Sequence, residues 1–72
     1  MKKIKKIKIK INGKIKSINQ DSNLSLVLKN LKIPLAKVAI ELNQEIVDKK
    51  KIKSINLKNN DKIEIVHFIG GG

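Results

Sequence analysis

Lys6-Ile7-Lys8-Ile9-Lys10-Ile11-Asn12-Gly13 is the stretch on which the fold turns. Six residues alternate basic and apolar with a period of two, the pattern of a strand with one buried face, so Ile7, Ile9 and Ile11 share a side and the lysines take the other. Asn12-Gly13 is the strongest short hairpin signal, because a type I′ turn needs positive φ at both central residues. The chain is therefore expected to return as a second strand over Lys14 to Asn19. A two-residue loop at Asn12-Gly13 or at Gly13-Lys14 brings Ile18 to the Ile7/Ile9/Ile11 face, and either register leaves Ile15 on the opposite one. The lysines keep such a hairpin soluble and discourage edge-to-edge pairing.

Downstream, Asp21, Ser22 and Asn23 are all N-cap residues, and apolar residues follow at Leu24, Val27, Leu28 and Leu31. That spacing puts four side chains on one stripe of a short helix. Pro34 disfavours helical backbone at the residue before it, so the helix ends by Ile33. Alternation resumes over Val38 to Leu42, with Val38, Ile40 and Leu42 on one face. Asn43-Gln44 reads as a turn and Glu45 to Val47 as a short returning strand. Asp48 to Asn60 is polar, anchored by Ile52, Ile55 and Leu57, and is expected to form a helical turn and a loop over the edge of the sheet. After turn residues at Asn59 to Asp61, Lys62 to Ile69 reads as a last strand, with Ile63 and Ile65 facing one way and Val66 and Phe68 the other.

One sheet covered by one helix is the smallest layered arrangement that hides an apolar face. With the first and last strands side by side at its centre, this order predicts an α+β fold of β-grasp architecture: a mixed four- to five-stranded sheet with one helix packed on one face. The division expected is a domain over residues 1–69 and a flexible C-terminal Gly-Gly-Gly tail over 70–72.

The chain has 72 residues, 17 basic against 6 acidic, and a formal charge of +11. That length allows one small domain with a marginal core. There is no cysteine, which excludes disulfides, thiolate metal sites and a Cys nucleophile. A small domain without such staples is expected to be intracellular. No apolar run approaches the roughly 20 residues that span a bilayer, so no membrane association is expected. The charge alone raises a nucleic-acid-binding module. Two features oppose it: every basic residue is Lys, without the bidentate fork of Arg, and Phe68 is the sole aromatic, leaving no stacking platform. Lys, Ile and Asn are over-used together, as codon bias in an AT-rich genome would produce. Met1 to Lys16 holds 8 of the 17 lysines and no acid, whereas Lys62 to Gly72 is formally neutral.

Catalysis has little to draw on. His67 is the sole histidine, no Ser-His-Asp or paired-carboxylate pattern surrounds it, and Asp21, Glu41, Glu45, Asp48, Asp61 and Glu64 lack metal-ligand spacing. The expectation is a protein that is not an enzyme, with no cofactor and no metal. The remaining feature is Gly70-Gly71-Gly72, three of the four glycines, directly after the apolar Val66-His67-Phe68-Ile69. A tail without side chains is thin and conformationally permissive, suited to threading into a narrow site on another protein. Its Gly72 α-carboxylate is a poor electrophile until it is activated, for instance as a mixed anhydride with AMP. Val66 and Phe68, with Ile15, are further expected to form an exposed apolar patch that contacts partners.

The chain resembles the ThiS family, the sulfur carriers of thiamine thiazole biosynthesis, a ubiquitin-like group. The resemblance lies in Ile11-Asn12-Gly13-Lys14, in Val38-Ala39-Ile40-Glu41-Leu42-Asn43-Gln44-Glu45-Ile46-Val47, and in Asn60-Asp61-Lys62-Ile63-Glu64-Ile65-Val66 running into Phe68-Ile69-Gly70-Gly71-Gly72. The residues before Ile7 and the strongly basic surface depart from the pattern. The resemblance implies a cycle in which a ThiF-like enzyme adenylates Gly72 with ATP and Mg²⁺. A sulfur donor such as a cysteine desulfurase then yields a thiocarboxylate, and thiazole synthase (ThiG) accepts the sulfur. Gly71 and Gly72 would enter the partner's site, with Gly70 as hinge. It also implies a cytoplasmic protein, or one of the plastid stroma if plastid-encoded. Alternatives are a carrier like the small subunit of molybdopterin synthase and a ubiquitin-like protein modifier.

Overall fold

The computed structural model describes residues 5–68. The alternating run forms β1 (Lys6–Ile11), and β2 (Lys14–Asn19) returns antiparallel to it with Ile7 opposite Ile18 and Lys10 opposite Ile15. Asn12 and Gly13 both have positive φ, 49° and 84°, as the two-residue turn requires. A Cβ on Gly13 would meet nothing within 4 Å, so glycine stands there for its backbone freedom and not for space.

Helix α1 (Leu24–Asn30) starts at Asn23, whose side-chain oxygen accepts from the Leu26 N–H at 2.8 Å. Of the other two cap candidates, Asp21 takes a positive φ in the preceding turn and Ser22 is buried, its hydroxyl donating to the Asn19 carbonyl. The helix closes in a Schellman arrangement: Ile33 N–H donates to Leu28 O and Lys32 N–H to Lys29 O, with Lys32 in the left-handed region at φ 58°.

A 3₁₀ turn, Leu35–Lys37, leads into β3 (Val38–Leu42), and Asn43-Gln44, again with positive φ at both residues, turns into β4 (Glu45–Ile46). Val47 lies beyond β4 yet its N–H still donates to Ile40 O. The Lys-rich stretch forms a 3₁₀ segment, Lys49–Ser54, capped by Asp48. Its anchors do more than cover an edge. Ile52 and Leu57 are buried in the core, and hydrogen bonds from Leu24 to Ile55 and from Leu57 to Ser22 tie the segment to the start of α1.

The last strand, β5 (Lys62–His67), is shorter than the sequence suggests, and Ile69 lies outside the described residues. Strand order is β2-β1-β5-β3-β4, with β1 and β5 parallel and the other pairs antiparallel. This is the expected β-grasp sheet, five-stranded, with one helix on one face. Ile9, Leu24, Val27, Leu28, Val38, Ile40, Ile52, Leu57, Ile63 and Ile65 make one core between sheet and helix. Among the described residues no element covers the opposite face of the sheet.

Candidate functional site

Gly70, Gly71 and Gly72, at which the chemistry is expected, lie outside the described residues, and β5 is the strand that precedes them. β5 runs at the centre of the sheet toward that end. Its parallel pairing with β1 covers only Lys10 with Lys62 and Ile11 with Ile63, so β5 outruns β1. Asn12 makes up the difference. Its backbone N–H donates to Ile63 O, its side-chain oxygen accepts from Ile65 N–H at 2.7 Å, and its amide nitrogen donates to Ile65 O at 3.3 Å. A side-chain amide thus stands in for one more strand residue. Asn43 does the same on the β3 side at the start of β5. Its N–H donates to Lys62 O, its side-chain oxygen accepts from Lys62 N–H, and its amide nitrogen donates to Asp61. The sequence marks both asparagines as turn residues; their second role needs β5 beside them.

On the other side β5 pairs with β3 up to Val38 and His67, and the Phe68 N–H then donates to Lys37 O at 2.9 Å. The Phe68 ring is 59% exposed and has the Lys49 ammonium 5.4 Å from its centroid, an attraction of about 0.5–1 kcal/mol at an exposed ring. Lys49 also donates to Leu35 O at 2.6 Å. No sequence signal singled out this lysine among so many.

The open face carries Val66, 53% exposed, opposite Ala39. Beside them Glu64 stands directly across from Glu41, and Glu41 pairs in turn with Ile46, which is 79% exposed. Like charges directly opposite each other cost stability, so this pair is not explained by the fold. The facing of the two glutamates was not anticipated, because the pairing of β3 with β5 joins segments remote in the chain.

Ile15 is exposed on the same face, as its alternation requires, but it is not part of that patch. It is level with Lys10, and Lys10 is level with Lys62, four residues back from Val66. Two strand spacings across and four residues along separate Ile15 from Val66 by about 16 Å. Ile15 instead lines a groove with Lys8, Lys10, Asn60 and Lys62. The expected three-residue patch is therefore two separate surfaces, an apolar and acidic one at the tail end and a basic one at the far end.

His67 is exposed, and among the described residues no three His, Cys, Asp or Glu side chains are placed to hold a metal ion. Among them, too, no helix is long and apolar enough to cross a membrane.

A family model described as the ThiS family matches residues 9–72. Similar curated proteins include a sulfur carrier protein ThiS of Bacillus subtilis, 34% identical, the match covering 89% of this chain and 98% of the relative. Another is a thiazole synthase of Paramagnetospirillum magneticum, 38% identical over 92% of this chain. The chain spans about a fifth (20%) of that longer relative. Among solved structures, the crystal structure of a thiamine biosynthesis protein (ThiS) from Geobacter metallireducens superposes with a TM-score of 0.79 at 29% identity, covering 92% of this chain and all (100%) of that one.

Proposed function

The chain belongs to the ThiS family of sulfur carrier proteins, and from that premise we propose that it carries sulfur on the Gly72 α-carboxylate for construction of the thiamine thiazole. A ThiF-like enzyme joins the carboxylate to AMP and releases pyrophosphate. The persulfide of a donor such as a cysteine desulfurase displaces AMP to give an acyl disulfide, a thiol reductant cleaves its S–S bond to leave the Gly72 thiocarboxylate, and the thiocarboxylate gives its sulfur to thiazole synthase. The carrier supplies no catalytic group; residues 1–69 are the body that partners grip and residues 70–72 the tail that enters their sites. The compartment proposed is the cytoplasm or, for a plastid-encoded chain, the stroma.

The observation that carries this reading is a family match that runs through Gly72, the residue to be modified. Thiazole synthase as the acceptor is supported by relatives of that name in which a stretch similar to this chain makes up a fifth (20%) of a longer protein. The docking face proposed is the tail end of the open sheet: Phe68 and Val66, extended by Ile46, with Glu41 and Glu64 to meet basic groups on a partner.

The test is intact mass after incubation with ATP, Mg²⁺, a ThiF-like enzyme, a sulfur donor and a thiol reductant. Replacement of one oxygen by sulfur is expected, and none in a chain lacking Gly72. Covalent adducts on other proteins would point to a modifier instead. An unchanged mass would reject the carrier reading.

A further inference from the structure

Two ties fix the last described residue. The Phe68 N–H extends the β3–β5 ladder to Lys37 O, and the Phe68 ring lies against the Lys49 ammonium. That ammonium is itself anchored by its 2.6 Å hydrogen bond to Leu35 O, and Lys49 opens a 3₁₀ segment that Asp48 caps. Lys49 is half-buried, whereas among the described residues every other lysine is exposed. Codon bias accounts for solvated lysines on a strand face; it does not account for one drawn inward onto a carbonyl and a ring. Leu35 and Lys37 both belong to the 3₁₀ turn before β3. Lys49 therefore joins three segments: its own, that turn, and the end of β5.

We propose that Lys49 is a positioning residue that holds Phe68 against the Leu35–Lys37 turn and so fixes the point from which the chain continues toward Gly72. The proposal rests on the carrier reading, because a tail whose root is already ordered gives up less freedom on entering another protein's site. The contacts of Lys49 fall on Leu35 and on Phe68, four residues before Gly72. Its effect falls on binding, hence on KM, and not on kcat.

The test compares Lys49→Met, which keeps a long stem and removes the charge, with Lys49→Arg, which keeps a cation able to donate and to stack. In the free protein, exchange of the Phe68 amide is followed by NMR, with the Ile63 amide as the measure of global stability. With a ThiF-like adenylating enzyme, ATP–pyrophosphate exchange is followed against carrier concentration. Lys49→Met is expected to speed Phe68 exchange about fivefold with Ile63 unchanged, and to raise KM roughly 3–10-fold at constant kcat; Lys49→Arg is expected to restore both. Unchanged Phe68 exchange, unchanged KM, or a failure of Arg to rescue would overturn the proposal. If the wild-type chain supports no pyrophosphate exchange, the carrier reading fails. The amide measurement then decides by itself whether Lys49 orders Phe68.

Discussion

Asn12 does two jobs with one side chain. It occupies a left-handed position, φ 49°, and its amide pairs with both polar groups of Ile65. Most residues pay about 1–2 kcal/mol for left-handed backbone, and a partly buried N–H left without a partner costs about 1–3 kcal/mol. Asn12→Ala incurs both and is expected to destabilise by roughly 2–5 kcal/mol in urea unfolding. Asn12→Gly keeps the turn and loses only the amide pairing, so it should cost about half as much. If Gly proves as harmful as Ala, the backbone conformation is not a separate term. The dipeptide at 12–13 made the turn readable without any structure. The bond to Ile65 was not, because Ile65 is 53 residues away and nothing local to either residue refers to the other.

At the scale of elements, α1 was legible from its stripe and its stop signal, since helix periodicity and capping are local. Its C-terminus is less well suited to its conformation than its start. Lys32 sits in the left-handed C′ position that glycine usually fills. Lys32→Gly should therefore raise stability by about 0.5–1 kcal/mol, and the melting temperature by a few degrees. A lower melting temperature would show that Lys32 holds the helix end by contacts that outweigh its backbone strain. The open face of the sheet carries a second prediction. Phe68→Ser, at an exposed position, should leave the fold intact and weaken binding to the activating enzyme or to the synthase about tenfold, the loss expected of an apolar anchor. Ile15→Ser, at the far end of the same face, should leave both affinities unchanged. A titration in which Phe68→Ser binds both partners as the wild type does would remove Phe68 from the interface, and a loss with Ile15→Ser would extend the interface across the sheet.

For the molecule as a whole, the charge is a matter of stability before it is one of function. Lys6, Lys8 and Lys10 share the open face of β1, about 7 Å from one to the next. That is within the screening length at low salt, so they repel one another and the other lysines in the folded state. Raising NaCl from roughly 20 to 500 mM shortens the screening length several-fold and should raise the melting temperature by roughly 5 °C, equivalent to about 1 kcal/mol for a domain this size. A melting temperature that stays level or falls would mean that specific ion pairs, weakened by salt, outweigh this repulsion. The basic half of the sheet and the tail end remain apart in space as they are in sequence. The structure thus supports reading the lysines as a solvated strand face.

The sequence by itself determined the two hairpin turns, the helix with its buried stripe, the faces of all the longer strands, the family, and the three glycines proposed to do the work. Those signals are local: turn chemistry, residue period and a contiguous motif each depend on a few neighbouring residues. Only the tertiary structure decided the pairing of β3 with β5 and the registers between remote strands, and with those the separation of Ile15 from Val66, the facing of Glu41 and Glu64, the strand-like role of Asn12, and the drawing of Lys49 onto Phe68 and Leu35. Each of these joins residues remote in the chain, and their proximity follows from the packing of the sheet against one helix, which no single segment encodes.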